Sequence, residues 1–196
     1  MKNKLIAFSG AGGTGKTTVA QLFNAQVPSY CAYLAETFRR NKSFDNFRTK
    51  GKPEEILEYQ NGILYAQFAL EKFIDDSNKN EIIPIERSSI DYAAYMALLT
   101  EKYQNDNEIK KAVKKYILNC IDHANKNYAG IVYFPTDMFT PDDMNLEVKE
   151  RNKESRKKTD NCISLLLKRV KIPILKLEEK NVVDRLNAIK KWSNKL

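Results

Sequence analysis

Apolar positions along the chain alternate between short continuous blocks and stretches at helical spacing. Lys4 to Ser9 (Lys-Leu-Ile-Ala-Phe-Ser) is a compact apolar run that stops at a cluster of glycines, and it predicts a buried strand. Gly15 to Gln26 brings Val19, Leu22 and Phe23 onto one helical face, and Pro28 ends it. Tyr30 to Ala35 has the aromatic and apolar content of a second strand, and the polar stretch Asn41 to Pro53 reads as a loop. Ile56, Tyr59, Ile63, Leu64, Phe68, Leu70 and Ile74 recur near helical spacing and predict a long helix over Glu54 to Ser77. Glu81 to Glu86 predicts a third strand, although Pro84 counts against a central place for it, because a central strand needs its backbone donors. Two further helices follow over Ser88 to Lys102 and Glu108 to Lys126. The second carries a stripe of Ile109, Val113, Tyr116, Ile117, Cys120 and Ile121. Gly130 to Phe134 predicts a fourth strand, Thr159 to Val170 a helix, Ile172 to Leu177 a fifth strand and Val182 to Trp192 a last helix with Trp192 in the core.

Strands alternating with helices predict an α/β fold, a five-stranded parallel sheet sandwiched by helices, as one domain over residues 1–196. Pro135 to Lys158 is polar and charged and shows no core pattern. It is longer than an inert connection, so it reads as a lid over about residues 136–158.

Composition narrows the classes of function. No apolar run approaches the ~18–20 residues that cross a bilayer. The basic start Met1-Lys2-Asn3-Lys4 leads into too short an apolar stretch for a secretory leader, so a cytoplasmic protein without a membrane partner is expected. Lys and Arg number 33 against 25 Asp and Glu, a net charge of +8. That excess fits an anionic partner (nucleotide, nucleic acid or anionic lipid) or a set of solvated lysines spread along the chain. Cys31, Cys120 and Cys162 are odd in number and lack a C-x-x-C pair, which predicts reduced buried thiols. His123, among polar residues at the end of a helix, reads as exposed and idle.

Chemistry concentrates in Gly10-Ala11-Gly12-Gly13-Thr14-Gly15-Lys16-Thr17, which fits G-x-x-x-x-G-K-[ST] at every fixed position between a strand and a helix. Glycines let the backbone fold into a nest of inward N–H groups, and the following helix turns its positive end to the same place. Gly10 through Thr18 are the candidate contacts to a nucleoside triphosphate. Lys16 would reach the β- and γ-phosphates, and Thr17 would place its hydroxyl on Mg²⁺.

Three further features bear on the reaction. Glu36 ends the predicted second strand, where it could take a proton from an attacking hydroxyl, and Arg39 and Arg40 could hold an anionic acceptor. Glu86-Arg87-Ser88-Ser89-Ile90-Asp91 ends the predicted third strand. Glu86 could support Mg²⁺ and Arg87 could bridge the acceptor and donor phosphates, while Ser88 and Asp91 have the spacing of a helix-capping box. Arg151 and Arg156 lie in the lid segment and could meet the charge that spreads over a transferring phosphoryl group.

The order P-loop, Glu36-x-x-Arg39, helical Gln60 to Gln67, E-R-S-x-x-D and Arg-bearing lid resembles the P-loop nucleoside and nucleotide kinases over nearly the whole chain. The likeness is to the branch holding bacterial nicotinamide riboside kinase domains and related AAA-type small kinases often seen in phages. The E-R-S stretch also resembles that of deoxynucleoside kinases. The resemblance implies ATP and Mg²⁺ as cofactors and a nucleoside or nucleoside monophosphate as acceptor. Glu36, Arg39, Arg40, Gln60, Gln67 and Arg87 would be acceptor contacts, and a homodimer is possible. Two other readings stand beside it. One is a kinase acting on nucleic acid, with Tyr33, Phe38, Phe44 and Phe47 stacking on bases. The other is an ATP-binding regulatory module without an acceptor.

Overall fold

A computed structural model describes residues 4–23, 51–77, 82–138 and 146–196 (backbone only at 77 and 146–152). Four strands, β1 (Lys4–Ser9), β2 (Ile82–Glu86), β3 (Gly130–Tyr133) and β4 (Ile174–Lys176), form one parallel sheet in the order β2-β1-β3-β4. The sheet is thus parallel as the alternation predicts, with four strands rather than five among the described residues. The stretch read as a further strand, Tyr30 to Ala35, lies outside them. Among the described residues six α-helices accompany the sheet: α1 (Lys16–Phe23), α2 (Pro53–Ser77), α3 (Ser89–Leu99), α4 (Asn107–Asn127), α5 (Leu146–Leu167) and α6 (Val182–Ser193).

Strand alternation sends side chains to opposite faces, and both faces are covered. Leu5 and Ala7 of β1, Ile83 and Ile85 of β2, and Ile131 and Tyr133 of β3 join the core built with α2, α3, α4 and α5. Ile6 and Phe8 of β1, Val132 and Phe134 join Val19 and Ala20 of α1 and Ile189 of α6 on the other face. Phe8 and Phe134 are fully enclosed, with ring centroids 5.3 Å apart. Burying each such side chain contributes roughly 1.5–3 kcal/mol. Trp192 packs edge-on over the backbone of Gly130, where an added Cβ would come within 2.5 Å of the indole.

Pro84 sits inside β2 without harm. The Arg87 N–H donates to the Phe8 carbonyl (3.0 Å), so by alternation residues 83, 85 and 87 face β1 and Pro84 turns its missing donor away.

Two expectations are corrected. Pro135 to Lys158 is not irregular throughout, because α5 begins at Leu146 and runs on through the predicted Thr159 helix. Its first half (Leu-Glu-Val-Lys-Glu-Arg-Asn-Lys-Glu-Ser-Arg-Lys-Lys) is rich in good helix formers and carries an i,i+4 Glu154–Lys158 pair, but it has no apolar stripe to announce it. His123 is not idle. Its ring stacks on Phe68 (centroids 3.5 Å, planes 4° apart), and Nε2 lies 2.6 Å from the buried Glu71 carboxylate. Cys120 is buried and Cys162 half-buried, both as free thiols, and burial pushes both thiols up from their ordinary range.

Candidate nucleotide-binding site

The C-terminal ends of β1, β2 and β3 share one rim: Phe8 is level with Glu86, and Ser9 with Tyr133. The glycine-rich loop leaves β1 at that rim. Gly13 (φ 70°) and Gly15 (φ 83°) take left-handed conformations that glycine alone adopts freely. Gly10 (φ 153°) passes so close to β3 that an added Cβ would lie 2.5 Å from the Phe134 carbonyl oxygen.

Side chains hold this loop from several directions. Asp91, fully buried at the start of α3, accepts the Gly10 N–H on Oδ1 (2.8 Å) and both the N–H (2.7 Å) and hydroxyl (2.8 Å) of Ser88 on Oδ2. The capping box expected from S-x-x-D is present, and the same carboxylate reaches the P-loop as well. Lys16 Nζ donates to the carbonyls of Gly10 (2.8 Å) and Ala11 (2.7 Å) and to the Thr14 hydroxyl (3.2 Å). Arg156, from α5, donates through Nη2 to the Gly13 carbonyl (3.3 Å), which places the predicted lid arginine on the loop. Asp160, one turn further along α5, accepts the Tyr133 hydroxyl (2.9 Å) and the Thr136 N–H and hydroxyl (3.2 and 2.9 Å), fixing α5 against the end of β3.

Thr17 donates its hydroxyl to Glu86 Oε1 at 2.5 Å. The second carboxylate oxygen, Oε2, is buried and has no hydrogen-bond partner. An orphaned anionic oxygen beside a hydroxyl suits a hard divalent cation that keeps most of its coordination for water and phosphate. Among the described residues no cluster of three His, Cys, Asp or Glu offers a full protein cage. Thr17 and Glu86 therefore fit Mg²⁺ carried in with a nucleotide.

Arg87 follows Glu86 with φ 69°, the one described non-glycine residue in the left-handed region. That costs on the order of 1–2 kcal/mol. Its buried guanidinium donates to the Tyr95 hydroxyl (3.0 Å) and lies 5.4 Å from the centre of that ring. Burial opposes its charge, but Tyr95 and Asp91 favour it more strongly, so the group stays protonated.

Other sequence candidates fall elsewhere. Gln67 spends its amide inside the helical layer, donating to Glu71 (2.9 Å) and accepting from the Tyr92 hydroxyl (3.2 Å), so it is not offered to a ligand. Gln60 is equally enclosed, at 3 % exposure. Glu36, Arg39, Arg40 and the Arg151 side chain lie outside the described residues, as do Tyr33, Phe38, Phe44 and Phe47. Sequence reasoning missed the P-loop contact of Asp91, which joins positions 81 residues apart. It also missed Arg185, buried on α6, which donates to the Thr14 carbonyl (3.0 Å). A signal existed: Arg185 stands four residues before the core residue Ile189, a charge at a core-spaced position.

Residues 5–185 match the protein family described as an AAA domain. The chain belongs to that family. It is accordingly a nucleotide-binding P-loop domain of AAA type, and Gly10 to Thr17 is its candidate phosphate-binding turn. No curated protein matches the chain.

Proposed function

We propose that this AAA domain is an ATP-dependent kinase that transfers the γ-phosphoryl group to a nucleoside or nucleoside monophosphate. One observation carries the reading: the rim of the P-loop holds a Thr17–Glu86 pair with a spare anionic oxygen, and an arginine from a separate helix, Arg156, already lies against the loop. That is the equipment for stabilising charge on a phosphoryl group in transit.

In the reaction the acceptor oxygen forms a bond to the γ-phosphorus, and the bond from that phosphorus to the β–γ bridging oxygen breaks, leaving ADP. A hydroxyl acceptor gives its proton to a base, the role proposed for Glu36. A phosphate acceptor needs no base and relies on Arg39 and Arg40. Lys16 neutralises the β- and γ-phosphates, Gly13 and Gly15 shape the nest of amides, and Arg156 meets the equatorial oxygens. Arg87, which follows β2 and donates to the Tyr95 hydroxyl, is the proposed contact to an anionic acceptor. Thr17 and Glu86 would hold Mg²⁺, which would supply neutralisation of the triphosphate's charge.

The test is a panel of nucleosides, nucleoside monophosphates and short DNA incubated with labelled ATP and Mg²⁺. Label is expected on a nucleoside or a monophosphate, and Lys16→Ala should abolish transfer while its circular dichroism stays that of the wild type. Label on DNA alone, with affinity falling steeply as salt rises, would point to a nucleic-acid acceptor instead. ATP hydrolysis that no acceptor changes would refute the kinase reading.

A further inference from the structure

Arg185 is 1 % exposed, so its guanidinium has left water almost completely, and burial lowers its pKa. A cation so enclosed is costly unless its donors are used. Its planar fork is spent on three backbone carbonyls from three separate parts of the chain. Nη1 donates to Thr14 in the P-loop (3.0 Å), Nη2 to Met138 beyond β3 (3.2 Å), and Nε to Glu179 after β4 (2.8 Å).

The Thr14 contact has a consequence for the loop. In a trans peptide the C=O and the following N–H point in opposite directions. Every peptide bond described is trans, so drawing the Thr14 carbonyl to Arg185 turns the Gly15 N–H the other way. Gly15 itself is left-handed (φ 83°), so the backbone there depends on its surroundings to select one conformation. Arg156 acts on the preceding peptide through the Gly13 carbonyl. Each carbonyl so held fixes the direction of the amide that follows it, Thr14 after Gly13 and Gly15 after Thr14, and an anion nest is built from amides whose directions are set.

We infer that Arg185 is a positioning residue of the phosphate cradle: through the Thr14 carbonyl it orients the Gly15 amide, and through Met138 and Glu179 it locks the loop to the segments after β3 and β4. The inference rests on the nucleotide-binding role of the P-loop and not on which acceptor is used. Lys at this position keeps the charge but has no fork and cannot reach three divergent carbonyls at once.

The experiment measures the affinity of Mg·ATP and Mg·GTP by calorimetry at low temperature for wild type, Arg185→Lys, Arg185→Met and Ile189→Ala. Thermal unfolding of each is followed in parallel. Ile189→Ala removes core packing from the same helix and serves as the purely destabilised reference. Arg185→Met is expected to weaken binding by ten-fold or more at a temperature where the variant is fully folded. Arg185→Lys should weaken it three-fold or more and so recover part of the loss, and Ile189→Ala should lower the melting temperature with unchanged affinity. Wild-type affinity in both Arg185 variants, with a melting temperature lowered as in Ile189→Ala, overturns the inference. Where Arg185→Met does not fold, unchanged affinity in Arg185→Lys overturns it alone. Failure of the wild type to bind either triphosphate removes the proposed function and this inference together, whereas binding without any acceptor turnover removes only the kinase reading.

Discussion

At the scale of single residues, the P-loop shows two glycines with opposite demands. Gly10 has a positive φ and no room for a Cβ, which would meet a backbone oxygen at 2.5 Å. Backbone gives way less readily than a flexible side chain, so Gly10→Ala should destabilise the fold by about 2 kcal/mol or more. Gly12 has nothing within 4 Å of an added Cβ and lies outside the positive-φ region, so Gly12→Ala should leave stability within about 0.5 kcal/mol. Urea denaturation of both variants checks the contrast, and equal losses would mean that the close approach of Gly10 to Phe134 is wrong. The motif itself was legible in the sequence, because glycine spacing and the Lys16-Thr17 pair are local. Which glycine answers to sterics and which does not was illegible, because Phe134 lies far away along the chain.

At the scale of elements, two helix anchors carry the site. Asp91 satisfies Ser88 at the start of α3 and holds Gly10 in the same stroke. Asp91→Ala removes the acceptor of the Ser88 N–H in the capping box and also leaves the buried Gly10 N–H without its acceptor, so its cost should exceed that of a cap alone, at about 2–4 kcal/mol. Ser88→Ala should cost about 1 kcal/mol. Equal costs in denaturation would show that the Gly10 contact adds nothing. On α5, Asp160 and Arg156 stand at i+4 and i, so the anchor to Tyr133 and Thr136 sets where the arginine arrives. Arg156→Ala should lower kcat ten-fold or more with little change in melting temperature, and an unchanged rate would remove Arg156 from the reaction. The E-R-S-x-x-D signature disclosed α3 because a cap is written in consecutive residues. The first half of α5 was hidden because a helix without a buried face leaves no periodicity to find. Its arginines were noticed through charge alone.

At the scale of the whole molecule, the sequence carried the layer arrangement, since apolar blocks alternating with helical stripes have few other solutions than a covered parallel sheet. It did not carry the polar ties that cross between layers, since these join residues whose separation leaves no local trace. One such tie lies in the helical layer behind the site. Glu71 of α2, 2 % exposed as a side chain, accepts from Gln67 (2.9 Å) and from the Tyr128 hydroxyl (2.8 Å), and its other oxygen meets His123 of α4 (2.6 Å). Tyr128 in turn accepts the Ser89 N–H (3.1 Å), one of the donors that the first turn of α3 cannot satisfy itself. The network therefore joins α2, α4 and the end of α3 that carries Asp91 and hence the P-loop. Glu71→Ala leaves the buried Gln67 and Tyr128 and the half-buried His123 without their shared acceptor, and about 3–5 kcal/mol of stability should be lost. Tyr128→Phe breaks two bonds and should cost about 1–3 kcal/mol. Because Tyr128 and Glu71 share a bond, the double variant should lose less than the two single losses added, by about 0.5 kcal/mol or more. Simple additivity in denaturant unfolding would mean that the two side chains act separately, and that the helical layer is held by packing rather than by this chain of hydrogen bonds.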